Sequence, residues 1–383
     1  MKPSDRQLRT IRSLHTVQRD LADRFVGRSD AASLLVLAVL AREHMLLIGP
    51  PGTAKTELIQ RFAALIRAKW FGYLLTRFTE PSEIFGPLDF ELFQQGSYRV
   101  KIEDMLPAAE VAFLDEVFQG SSAILNTLLS LINERRFHNG ARLEPTPLIS
   151  LFGASSELPD DPALQAFNDR FLLRLEVEPV GSAQLPELLN YGWERERTRH
   201  LEDGEPGAVP IDHLRELSDS VRDVDIDPVR GILAELIGEL LAQGVTLSDR
   251  RIVRAQKLVA AAALLREDGS ARPRDLWPIA HLWTVRSDAT LVRDTVNEYI
   301  TTDGGEPLTT GRSADELLAL AEYEARRVLG RQGVVPRGAV IAAIRAVNGL
   351  LTEARTNHPT SYDRQKQIGE WRDKISWLLE EQS

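Results

Sequence analysis

Apolar residues recur along this chain in two rhythms, and the change from one to the other is the first guide to its architecture. Leu8, Ile11, Leu14, Val17, Leu21 and Phe25 return at three- and four-residue steps, which predicts an amphipathic helix over 8–25. Residues 31–41 are almost wholly apolar and predict a second helix, followed by a short buried strand at Met45–Ile48. Further strand-like runs stand at 111–114 and 148–152, and strand and helix signals alternate to about residue 178. Strands interleaved with helices predict an α/β fold with a parallel sheet covered on both faces.

Two hairpins are expected within that rhythm. Leu88, Phe90 and Leu92 alternate, as do Tyr98, Val100 and Ile102, on either side of a Gln-Gln-Gly-Ser turn. Asn139-Gly140 lies between Phe137-His138 and Ala141-Arg142, a type I′ turn signal. From about 180 to 300 the pattern is helical, with a loop at 204–210. Residues 301–311 (TTDGGEPLTTG) read as a turn-rich linker, and Ser313 with Glu316 resembles a capping box. Beyond it, Val340, Ile344, Val347, Leu351 and then Ile368, Trp371, Ile375, Leu378 repeat at helical spacing, as core stripes of a helical hairpin or bundle. The expected division is an α/β core at 1–178, an all-α region at 179–300, a linker at 301–312 and a C-terminal helical segment at 313–383.

Composition narrows the function classes. The 383 residues carry 46 Lys and Arg against 56 Asp and Glu, a net charge of −10, and no cysteine. Disulfides, thiol nucleophiles and cysteine-based zinc sites are excluded. The opening residues MKPSDRQLRTIRSLH lack the apolar stretch of a signal peptide, and the longest apolar run has 11 residues where a membrane span needs about 20. A cytoplasmic protein without a membrane partner is expected. The acidity is local: residues 201–243 hold 11 acidic and 3 basic residues, a net −8, leaving −2 for the rest. That stretch reads as a solvated surface or a docking site for a basic partner. Nucleic acid is an unfavoured partner, because no basic, aromatic-rich cluster is visible. His15, His44, His138, His200, His213, His281 and His358 are scattered without a metal-ligand spacing.

The chemistry lies in two motifs. Gly49-Pro50-Pro51-Gly52-Thr53-Ala54-Lys55-Thr56, running on to Glu57, joins the buried strand to a helix. Backbone N–H groups of such a loop surround phosphates; Lys55 would reach the β/γ oxygens and the Thr56 hydroxyl would hold Mg²⁺. Ala54 replaces the last glycine of the strict pattern, which is tolerated if its φ is negative. About 60 residues on, Val111-Ala-Phe-Leu114-Asp115-Glu116 ends an apolar strand in two carboxylates. Asp115 would bind Mg²⁺ through water and Glu116 would polarise the attacking water. Together the motifs predict a nucleotide-binding core.

With these segments, FLDE followed by AILNTLLSLINERRF, TRFTEPSEIFGPLD, RRFHNG and the GASSELP…FNDRFLLR block, the chain from about 8 to 300 resembles the MoxR family of AAA+ ATPases, nearest its RavA-type branch. The resemblance implies ATP as substrate, Mg²⁺ as cofactor, and an all-α lid after the core. It implies that Val26-Gly27 line the adenine pocket, that Arg170 is an arginine finger with Arg174 as rival, and that Arg250 is the sensor-2 arginine with Arg251 as alternative. The sensor-1 position, normally Asn, falls at Ser156, next to Ser155. A homo-oligomeric ring, a hexamer, with a client protein and a von Willebrand A-domain partner, is the implied assembly, and a chaperone-like ATPase the implied function. The 85–102 region is a candidate for transmitting motion to a client. A nucleotide-gated scaffold with little turnover, motivated by Ser156, and a nucleic-acid translocase are the competing readings.

Overall fold

The computed structural model describes residues 3–159, 161–181, 184–198, 209–304, 314–329, 337–357 and 361–380. In chain order the strands are β1 (Met45–Ile48), β2 (Trp70–Leu74), β3 (Val111–Asp115), β4 (Arg136–Asn139), β5 (Arg142–Pro145), β6 (Ser150–Ser155) and β7 (Leu173–Glu176). Five of them form one parallel sheet in the order β2-β3-β6-β1-β7, while β4 and β5 pair with each other as an antiparallel hairpin. β1, between β6 and β7, places Ile48 opposite Ser155 on one side and Glu176 on the other. The C-terminal ends of β1, β3 and β6 therefore open on a common edge, where ligands bind in open α/β sheets.

Helix Asp5–Arg24 starts at a capping box between Ser4 and Gln7 and buries Ile11, Leu14, Val17 and Leu21, the stripe its sequence spacing predicts. Helix Ser29–Leu40 is buried from Ala31 almost without a break, apart from Ser33. Its apolarity on all sides follows from packing against helices Asp5–Arg24, Ile211–Ser220 and Asp249–Leu265 and against β7.

One expected hairpin forms and the other does not. Residues 88–92 are not a strand: Asp89 caps a short helix, Phe90–Gln94, its Oδ1 accepting from the N–H groups of Glu91 and Leu92 at 3.1 and 3.2 Å. Only an isolated bridge, Leu88 with Val100, survives of that pairing. The alternation was correct as a pattern, but a local side-chain cap outcompetes a two-stranded ladder with nothing to cover it. The β4–β5 hairpin forms one residue out of the expected register. Asn139 pairs with Arg142, so the loop is Gly140-Ala141, with φ positive only at Gly140. A side chain at Gly140 would lie 1.8 Å from the Tyr98 carbonyl oxygen, so glycine is required there for space as well as for conformation.

Two compact units are present: Met1–Val180 with Tyr191–Glu306, and Gly181–Asn190 with Pro307–Ser383. In the first, helix Asp249–Leu265 seats on the N-terminal edge of the sheet. Arg251, fully buried, donates to the carbonyls of Phe171 (2.8 Å), Leu172 (2.7 Å) and Leu282 (2.7 Å). Arg254 and Lys257 reach the buried Glu43 carboxylate at 2.8 and 3.7 Å, just before β1. In the second unit, helices Ala314–Leu329, Arg337–Asn357 and Tyr362–Glu380 pack as a three-helix bundle around Leu317, Val328, Val340, Val347, Ile368 and Ile375. Ile344 and Trp371 are partly buried against that core. Ser313 of the expected capping box, and most of the 204–210 and 301–311 segments, lie outside the described residues. No described helix is long and apolar enough to cross a membrane.

Candidate functional site

β1 ends at Ile48, and residues 49–54 turn the chain into helix Lys55–Leu65. A side chain at Gly49 would lie 2.1 Å from the Val177 carbonyl oxygen, so only glycine passes there. Gly52 has φ +81° and Ala54, against expectation, φ +61°. The loop closes directly onto the first helical residue, which leaves Ala54 the left-handed region at a cost of about 1–2 kcal/mol. The Lys55 ammonium is drawn onto the loop itself. Its Nζ donates to the carbonyls of Gly49 (2.9 Å) and Pro50 (2.8 Å) and to Thr53 Oγ1 (3.3 Å). Burial lowers its pKa, the charges of Asp115 and Glu116 oppose that shift, and Arg28 adds to it.

The carboxylate pair stands on the neighbouring strand end. Asp115 closes β3, and its Oδ1 accepts the Glu116 N–H at 3.0 Å. Glu116 adopts a left-handed φ of +49° as the chain leaves the strand. Burial raises the Glu116 pKa, Asp115 raises it further, and Lys55 pulls it down. A carboxyl held above its ordinary value beside an ammonium suits a proton acceptor for water. On β6, between these two strands, Ser155 is buried and its hydroxyl donates to the Glu157 carbonyl at 2.7 Å, while Ser156 is exposed past the strand end. Thr56 is exposed in the first turn of its helix, and Glu57 follows it, half-buried.

The two pairs of candidate arginines separate cleanly. Arg174 is not on a helix with Arg170; it lies in β7, 1% exposed. Its guanidinium donates to the carbonyl of Thr284 and to Asn168 Oδ1 (3.0 Å), lies 5.9 Å from the Trp283 ring centre, and has its pKa pushed down to about 9 by burial and by Arg251. It fastens the sheet to the helical region and cannot reach a second chain. Arg170 is half-exposed, and its Nε is buried without a partner. Arg251 is spent on the three carbonyls described above, with its pKa pushed down to about 10 mainly by burial. Arg250 is exposed and donates to Asn133 Oδ1 at 2.8 Å.

Arg250 does not face its own chain's phosphate loop. Its neighbours Asn133 and, through Arg251, Phe171 and Leu172 lie at the N-terminal edge of the sheet, where His44 precedes β1 and bonds to Ile132. The loop lies at the opposite edge. Arg170 and Arg250 instead flank a single contact, Ser248 Oγ with both oxygens of Asp169 at 3.1 and 3.2 Å.

Val26 is buried and Gly27 turns with φ +70°. Sequence reasoning missed the next residue, Arg28, which bonds to the phosphate loop; among 39 arginines only its place beside Gly27 could have marked it. No three His, Cys, Asp or Glu among the described residues could cage a metal. The oxygens of Thr56 and Asp115 fit a hard cation that takes its other ligands from phosphates and water.

Residues 12–219 match a family model described as the MoxR domain in the MoxR-vWA-beta-propeller ternary systems. Uncharacterized protein MJ0079 of Methanocaldococcus jannaschii is 37% identical over 297 residues, spanning 76% of each chain. Chaperone MoxR1 of Mycobacterium tuberculosis is 26% identical over 171 residues, 43% of this chain and 45% of that one. A crystal structure from Cytophaga hutchinsonii, described provisionally as an ATPase, shares the fold with a TM-score of 0.61 at 17% identity, over 78% of this chain and 96% of its own.

Proposed function

The chain belongs to the MoxR family of AAA+ ATPases, and on that footing we propose that it hydrolyses ATP with Mg²⁺ in a homo-oligomeric ring, a hexamer, that remodels or activates a client protein. A von Willebrand A-domain protein is the proposed partner, in line with the systems for which the family model is named, and the cytoplasm the proposed location. The observation that carries the reading is the meeting of Lys55, Asp115 and Glu116 at one edge of the sheet, close enough that both carboxylate charges bear on the lysine.

In this mechanism Thr56, and Asp115 through water, would hold Mg²⁺, which would supply positive charge for the phosphate oxygens. Lys55 exchanges its loop carbonyls for β/γ oxygens. Glu116 accepts the proton of the attacking water. Val26 and Gly27 border the purine, and Ser156, with Ser155 beside it, stands where the γ-phosphate is sensed. Arg170 and Arg250 share one flank of the molecule at the sheet edge away from the phosphate loop, which supports both acting on a neighbouring subunit's nucleotide. A finger arginine of this kind is worth about 10³–10⁵ in rate.

ATPase measurements over a concentration series test the proposal. Wild type should turn over where it oligomerises, Glu116→Gln should bind ATP with at least about a hundredfold lower rate, and Lys55→Ala should lose binding. Wild-type activity no higher than that of Glu116→Gln at every such concentration overturns the enzyme reading. The serines at the sensor position would then favour a nucleotide-gated scaffold.

A further inference from the structure

Arg28 is the N-cap residue of helix Ser29–Leu40 and lies between the proposed purine segment and the phosphate loop. Its three nitrogens go to three different stretches of backbone. Nη1 donates to the Gly27 carbonyl at 2.9 Å, Nε to the Thr53 carbonyl at 3.4 Å, and Nη2 to the Glu178 carbonyl at 2.8 Å. Gly27 ends the proposed purine segment, Thr53 lies in the phosphate loop, and Glu178 follows β7 next to the Val177 carbonyl that crowds Gly49. A planar fork with fixed donor directions can bridge three such acceptors; an ammonium cannot keep the same three angles.

The charge balance is as informative as the bonds. Lys55 has Asp115 and Glu116 to offset its burial. Among the described residues Arg28 has carbonyl partners only, and burial shifts it downward with no described carboxylate opposing. A partly buried cation without a counter-ion raises the local positive potential, and here it adds to that of Lys55. Both features favour a polyanion laid along the loop.

We propose that Arg28 is a nucleotide-positioning residue, which ties the phosphate loop to the purine segment and to the stretch after β7 and supplies an uncompensated positive charge for the nucleotide's phosphates. This rests on the reading of the loop as an ATP site. Because Arg28 is bonded beside Gly27, at the purine end of that site, its effect should fall on ADP and ATP alike, whereas a group serving the γ-phosphate would act on ATP only.

Calorimetric titration of the full chain with ADP, a slowly hydrolysed ATP analogue and adenosine tests this. Arg28→Gln should weaken both nucleotides about tenfold, leave adenosine unchanged, and flatten the salt dependence of ADP affinity. Arg28→Lys, which keeps the charge and loses the fork, should recover the salt dependence but only part of the affinity, and it serves as the folded control if Arg28→Gln is unstable. Either variant binding ADP within twofold of wild type while folded overturns the proposal, as does a loss confined to the ATP analogue. Failure of wild type to bind any nucleotide, with Lys55→Ala no different, removes the ATP site itself and this role with it.

Discussion

Asn139 holds Val100 by both of its backbone groups, accepting from its N–H at 2.8 Å and donating to its carbonyl at 3.2 Å. The buried amide thus does the work of a ladder partner for a segment that has no strand beside it. Asn139→Ala should cost about 1–3 kcal/mol. Amide hydrogen exchange would show faster exchange confined to residues around 100, while nucleotide affinity stays within twofold. Unchanged protection at Val100 would count against the anchoring.

Ala54 sits at φ +61°, where an L side chain is strained. Ala54→Gly restores the strict loop pattern and should stabilise the protein by up to about 1 kcal/mol, the relieved strain being partly offset by a freer unfolded chain. Denaturant midpoints at a constant slope would measure it. A loss of stability would mean that the loop relaxes to negative φ in solution.

Arg170 and Arg174 should behave in opposite ways. Arg170→Ala alone, and Lys55→Ala alone, should each be inactive. A mixture of the two should regain activity, because an Arg170→Ala subunit with an intact loop can meet an intact Arg170 on its neighbour. Arg174→Ala should instead unfold at lower denaturant, since it orphans the Thr284 and Asn168 acceptors. No complementation in assembled mixtures would place the finger elsewhere.

Buried His44 and half-buried His281 should make the protein acid-labile. His44 accepts the Leu151 N–H on Nδ1 at 2.9 Å and donates from Nε2 to the Ile132 carbonyl at 3.1 Å, so it is neutral. Its pKa lies well below the usual value, first by burial and then through Arg135, Arg254 and Lys257; burial takes His281 down to about 4. The unfolded chain takes up these protons near pH 6.5 and the folded one does not. Their contribution is complete above 6.5 and is lost as pH falls, by about 1.4 kcal/mol per unit for each histidine. Melting temperature should drop between pH 6.5 and 4, and His281→Gln should flatten the drop.

The sequence made most of this legible where chemistry and periodicity coincide. The buried stripe of Asp5–Arg24, the β1 and β3 strands and the meeting of Lys55 with Asp115 and Glu116 all follow from local spacing. What it hid depends on contacts distant along the chain. Nothing local distinguishes Arg250 from Arg251, or Arg170 from Arg174; burial against residues 31 to 110 positions away does. The helix at Phe90–Gln94 was misread because alternation and a capped turn share the same letters there, and Asp89 decided it. Arg28 was invisible because its three acceptors are backbone carbonyls, which carry no sequence signature.

The Lys55 ammonium already has a full set of oxygen partners inside its own loop. On the proposed reading, nucleotide entry is a substitution reaction at that nitrogen, with two carbonyls and a hydroxyl as leaving ligands. An uncharged guest offers nothing to displace them, whereas a phosphate oxygen does, since charge-assisted bonds are roughly twice as strong as neutral ones. The loop is in this sense primed for anions: release of the lysine from its own carbonyls would report that a phosphate has arrived, while a neutral nucleoside would leave it where it is.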